Sequence, residues 1–164
     1  MKIHTPDALN AMSLMERKAA LQGDFGRSFG ISAAEHFAWI FWTKDSEEPT
    51  SILDQGSAFI LDRGNGPMLV TAAHVYRGFL EHSEKFGPLY CQVSNCRVHD
   101  LAAHLIACGN QDEADIATFR LPAGATERIG KKPILALDLE WPVPPNVGES
   151  VMFGGFPTQE RIVR

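Results

Sequence analysis

The tightest constraint in this chain is a pair of β-prone runs joined by a short turn. Gly56-Ser57-Ala58-Phe59-Ile60-Leu61-Asp62 and Met68-Leu69-Val70-Thr71-Ala72-Ala73 flank Arg63-Gly64-Asn65-Gly66-Pro67. Asn65-Gly66 is a strong hairpin signal, because both residues tolerate positive φ. Other short segments share the character. Residues 36–43 are aromatic and β-prone. Residues 90–93, 103–108 and 116–121 read as strands, the last with Ala117, Phe119 and Leu121 on one face. Residues 134–137 read as a brief strand, and 149–153 as a final one closed by Gly154-Gly155-Phe156-Pro157. Five to seven short strands separated by turn signals predict a β-barrel or sandwich.

Helix is expected in two places only. Residues 7–22 form one, capped by Asp7 and ended by Gly23, with Leu9, Met12, Met15 and Ala19 on an apolar face. Residues 74–80 give one short helical turn after the second hairpin strand. Residues 23–35 read as a connector, 44–51 and 109–113 as polar turns, and 122–148 as a long connection rich in Pro, Gly and charge.

Composition excludes several classes of function. The 164 residues suffice for one core, and 45% hydrophobic against 21% charged residues is a globular balance. A net charge of -5 leaves no basic excess to neutralise phosphates, so a nucleic-acid partner is not expected. No apolar run approaches the roughly 18 residues of a membrane span. The N-terminus lacks the apolar stretch of a secretory signal, so a cytoplasmic location is expected if Met1 is the true start. The three cysteines are too few and too odd in number for a disulfide framework, although Cys91 and Cys96 are near enough in sequence to pair.

Two residues carry the chemistry. His74 follows an apolar strand, where the strand gives way to a turn, and its predecessors Ala72 and Ala73 are small. Asp115 stands directly before the apolar run Ile116-Ala117-Thr118-Phe119-Arg120-Leu121. A histidine suits proton transfer near neutral pH, and a partly desolvated carboxylate can orient the imidazole and stabilise its charged form. Asp112 is a nearby rival that lacks the apolar strand directly after it.

Thr71-Ala72-Ala73-His74 is similar to the Thr-Ala-Ala-His motif of trypsin-like serine peptidases. Asp115-Ile116-Ala117 resembles that family's Asp-Ile-Ala, 41 residues after the histidine. Gly56-Ser57-Ala58-Phe59 looks like its Gly-Ser-Gly-Phe strand, and Gly155-Phe156-Pro157 like the Gly-x-Pro that opens the second barrel in bacterial members. The four motifs stand in the family's order over residues 36–157. The resemblance implies a mainly β fold: a six-stranded trypsin-like barrel, the first of two, preceded by a helix. The division it implies is 1–35 helix and connector, 36–122 first barrel, 123–148 interbarrel linker and 149–164 the start of the second barrel. It also implies a serine endopeptidase acting on peptide or protein substrates, without cofactor or metal, in which His74 is the general base and Asp115 orients it.

The family's nucleophile lies in a Gly-Asp-Ser-Gly-Gly type motif, and no Gly-x-Ser-Gly occurs in these 164 residues. The chain is therefore expected to be the N-terminal portion of a longer peptidase, inactive alone. The alternative is a non-catalytic barrel that binds a peptide or partner protein. Ser57 belongs to a structural strand motif and is not read as a nucleophile. A zinc site built from Cys91, Cys96, His99 and His104 is disfavoured, because only Arg97 and Val98 separate Cys96 from His99. The oligomeric state is not legible.

Overall fold

Alternation of buried and outward residues at period two dominates the central part of the chain, as half-buried strands require. In the computed structural model, residues 12–44, 52–110 and 114–136 are described. The first five positions of the expected N-terminal helix, most of the 44–51 turn, Asp112 and the expected 149–153 strand lie outside them.

The described residues fall into two units, 12–35 and 36–136. The first holds helix α1 (Leu14–Gln22) and most of helix α2 (Asp24–His36). The expected single helix from residue 7 is interrupted: Ser13 is the N-cap of α1. Its Oγ accepts from the Glu16 N–H at 3.4 Å, while Glu16 Oε2 accepts from the Ser13 N–H at 2.8 Å, a reciprocal capping box. Gly23 does end α1, its N–H reaching the Ala20 carbonyl. Of the expected apolar face, Met12 is half-buried, whereas Ala19 is exposed and Met15 is 82% exposed. Of residues 23–35, expected as a connector, all but Gly23 are helical. Gly26 and Gly30 lower helix propensity by about 1 kcal/mol each relative to alanine. They remove no backbone hydrogen bond, and Asp24 in the first turn complements the helix dipole.

The second unit is a curled, half-barrel sheet. Its strands are β1 (Phe37–Thr43), β2 (Ile52–Asp62), β3 (Pro67–Thr71), β4 (Tyr90–Val93), β5 (Cys96–Val98), β6 (Leu105–Cys108) and β7 (Ala117–Arg120). They lie in the order β5-β4-β1-β2-β3-β7-β6, each pair antiparallel. An eighth strand, β8 (Ile134–Leu135), runs parallel to β2 at Leu61 and Asp62, beyond the point where β1 begins at Phe59.

Ala38, Ile40 and Trp42 of β1, Ala58 and Ile60 of β2, Leu69 of β3, Val93 of β4, and Ala117 and Phe119 of β7 share the core. Burying a side chain such as Ile60 or Leu69 stabilises by roughly 1.5–3 kcal/mol. The expected face of Ala117, Phe119 and Leu121 is realised, with Leu121 partly buried against that core. The hairpin forms, but the positive φ values fall on Gly64 (87°) and Gly66 (95°), not on Asn65. Asp62 Oδ1 accepts from the Gly64 N–H at 2.8 Å and shapes this turn.

A mainly β fold is corrected to mixed α/β. The turn expected at 74–80 is a 14-residue helix, α3 (Ala73–Phe86). It buries Ala73, Val75, Tyr76 and Phe79. Tyr76 meets Phe119 edge-on at 5.1 Å, and Phe79 meets Trp42 edge-on at 5.8 Å. These aromatic contacts extend the helix beyond the few residues that the strand-ending motif suggests. A further short helix, α4 (Ala125–Ile129), lies where only linker was expected, with Ala125 and Ile129 buried. Strand β5 was also unexpected. Its hairpin with β4 turns at Ser94, whose φ of 47° is a conformation that a serine seldom signals in sequence.

Candidate functional site

Antiparallel pairing of β3 with β7 sets Thr71 opposite Ala117. The end of one strand therefore lies beside the start of the other. His74, three residues past Thr71, and Asp115, two residues before Ala117, meet at that end of the sheet. The two residues expected to act together are thus brought together, although 41 residues separate them.

His74 sits in the first turn of α3. The N-cap of that helix, Ala72, has no side-chain acceptor for the free N–H groups. Asp115 supplies one: its Oδ1 accepts from the His74 N–H at 2.8 Å. Its Oδ2 lies 2.5 Å from His74 Nδ1. Because an ionised carboxylate only accepts, Nδ1 carries the proton, and the neutral ring keeps its lone pair on Nε2. Among the described residues Nε2 has no hydrogen-bond partner, and the His74 side chain is 61% exposed. The arrangement gives an accessible base whose charged form is stabilised by a fixed carboxylate.

The start of α3 is set by β2 and β3. Thr71 is buried, and its Oγ donates to the Ser57 carbonyl at 2.7 Å. A Cβ on Gly56 would come within 2.7 Å of a Val75 methyl, so only glycine lets the first helical turn lie on β2. Gly56 and Ser57, singled out as a motif, therefore hold the backbone that positions His74.

Two residues of the site went unremarked in sequence. Arg77, one turn after His74, donates from Nη2 to Asp115 Oδ1 and from Nη1 to the Gly109 carbonyl, both at 3.3 Å. Its signal is a cation at i+3 from the histidine, on the same helix face. Gly109 opens the loop carrying Asp115. A Cβ there would sit 2.0 Å from the Ala114 carbonyl oxygen. Its sequence signal, a glycine ahead of a polar turn, is too common to select it.

Hydrogen bonding from the His74 ring holds the Asp115 carboxyl below its ordinary value near 3.8, and the His74 N–H acts the same way. Partial burial opposes them, and the His74 and Arg77 charges add to the lowering. A carboxyl with a depressed folded value stabilises the fold fully above its unfolded value. That contribution is lost as pH falls through the lower folded value. The His74 amide resonance, followed by NMR during acid titration, is expected to shift with a midpoint below 3.8. A midpoint at or above that value would contradict the contact.

The remaining candidates lie elsewhere. Ser57 is within β2. Cys91 and Cys96 are free and buried, and burial pushes the Cys91 thiol up to about 12; Cys108 is free and exposed. Among the described residues no group of three or more His, Cys, Asp and Glu is placed to hold a metal. No described helix is long and apolar enough to cross a membrane. Neither a protein-family model nor a curated protein matches the chain.

Proposed function

We propose that His74 and Asp115 are the general base and orienting carboxylate of a trypsin-like serine endopeptidase. The observation that carries this reading is the 2.5 Å contact between His74 Nδ1 and Asp115 Oδ2, with Nε2 left accessible. A hydroxyl placed against Nε2 would lose its proton to it while attacking a peptide carbonyl, and His74 would return that proton to the leaving amine. The substrate is then a peptide or protein, and no cofactor is needed. In this reading the curled sheet is the first barrel of the family. The nucleophile belongs to a segment outside the 164 residues.

A second reading rests on the missing side-chain cap at Ala72. Asp115 would then be a helix cap in a non-catalytic barrel that binds a peptide or partner protein. One experiment separates the two. The protein expressed from its uninterrupted coding sequence is expected to label with a fluorophosphonate at a Gly-x-Ser-Gly serine and to cleave peptides. His74→Ala should lower kcat/KM at least about 1,000-fold. Absent labelling, or His74→Ala at wild-type activity, supports the binding reading.

A further inference from the structure

Asp115 sits at the end of a loop, and a carboxylate there would sample several rotamers unless something held it. Its own strand does not, because β7 begins two residues later. The His74 N–H holds Oδ1, but the ring that faces Oδ2 is itself 61% exposed. The remaining partner is Arg77.

We infer that Arg77 is the positioning residue for the His74–Asp115 pair, an inference that rests on the peptidase reading for its catalytic meaning only. The guanidinium donates to both ends of one loop, at the Gly109 carbonyl and at Asp115 Oδ1. The planar fork fixes the separation of those acceptors, which a single-point ammonium cannot do. The loop is closed further by the Gly109 N–H, which donates to the Ile116 carbonyl at 2.7 Å. Arg77 is anchored on α3, the helix that carries His74. Base, carboxylate and clamp therefore move as one body. Arg77 touches Oδ1 and leaves Oδ2 to the imidazole, so the two donors do not compete for one oxygen.

The test uses the 164-residue chain, with NMR readouts that a purely structural role would not move. Arg77→Met keeps the aliphatic stem and removes charge and fork; Arg77→Lys keeps the charge and removes the fork. Long-range proton–nitrogen correlation reports which His74 ring nitrogen carries the proton, and carboxyl carbon shifts report the titration of Asp115. Arg77→Met is expected to raise the Asp115 midpoint and to lower the Nδ1–H population of His74. Arg77→Lys should restore most of the midpoint but not the tautomer population. Should Arg77→Met fail to fold, Arg77→Lys alone decides, by whether the tautomer population falls. A wild-type tautomer population in the folded variants overturns the inference. In the uninterrupted protein, Arg77→Lys is expected to lower kcat about tenfold with KM unchanged. If the NMR effects hold while that protein hydrolyses no peptide, the peptidase reading falls and Arg77 remains the clamp of the pair.

Discussion

On the peptidase reading, Asp115→Asn is expected to abolish most activity while sparing stability, because the carboxylate has two separable duties. Its Oδ1 caps α3 through the His74 N–H and receives Arg77; its Oδ2 faces His74 Nδ1. An asparagine can keep its carbonyl oxygen on the two donors. Its NH2 group must then face Nδ1, which has to accept, and the ring proton moves to Nε2. That is the wrong tautomer for a base, and the loss in kcat is expected to be about 10,000-fold in the uninterrupted protein. On the 164-residue chain the same inversion is visible by nitrogen NMR, without any turnover. Asp115→Ala removes the cap as well, and should lower the melting temperature where Asp115→Asn changes it little. Thermal melts of the two variants measure the difference. Equal melting temperatures would show that the cap contributes nothing, and an Nδ1–H tautomer surviving in Asp115→Asn would remove Asp115 as the orienter.

Gly109→Ala should have the largest effect among conservative changes outside the pair. The added methyl would lie 2.0 Å from the Ala114 carbonyl oxygen and 3.2 Å from that of Ile116. Both are backbone atoms, so no rotamer relieves the clash and the loop itself must move. The expected cost is about 3 kcal/mol, the upper part of the range for overpacking. Gly56→Ala is the useful comparison. There the obstacle is the Val75 side chain, at 2.7 and 2.8 Å, which shifts with the first turn of α3. Denaturant unfolding should rank Gly109→Ala as the more destabilising. Gly109→Ala also displaces Asp115, so the His74 amide and ring signals should change with it. A Gly109→Ala chain with wild-type stability and unchanged His74 signals would contradict the observed loop packing.

Much of the sheet was legible because its signals are local. The aromatic, β-prone run of β1, the one-sided face of β7 and the glycine turn between β2 and β3 are properties of a few adjacent residues, and the structure realises each of them. Errors gathered where distant contacts decide. The run after His74 reads as a single turn until Trp42 and Phe119, remote in sequence, give Phe79 and Tyr76 a surface to cover. Residues 23–35 read as a connector because glycine and serine weaken the periodic signal, although no residue there forbids helix. Ser94 turns a hairpin from the left-handed region without a glycine, and its N–H donates to the Trp39 carbonyl at 2.7 Å across the sheet.

By itself the sequence determined most of the described strand segments, the presence of a histidine at one strand end and the aspartate before another. Those follow from residue type and spacing, which act over a few positions. Only the tertiary structure decided that His74 Nδ1 faces Asp115 Oδ2, that the same carboxylate caps α3, and that Arg77 holds it. The reason is geometric. The β3–β7 register, the space left by Gly56 and the close approach of Gly109 to Ala114 together aim one carboxylate at one ring. None of the three is encoded within the span of a local motif.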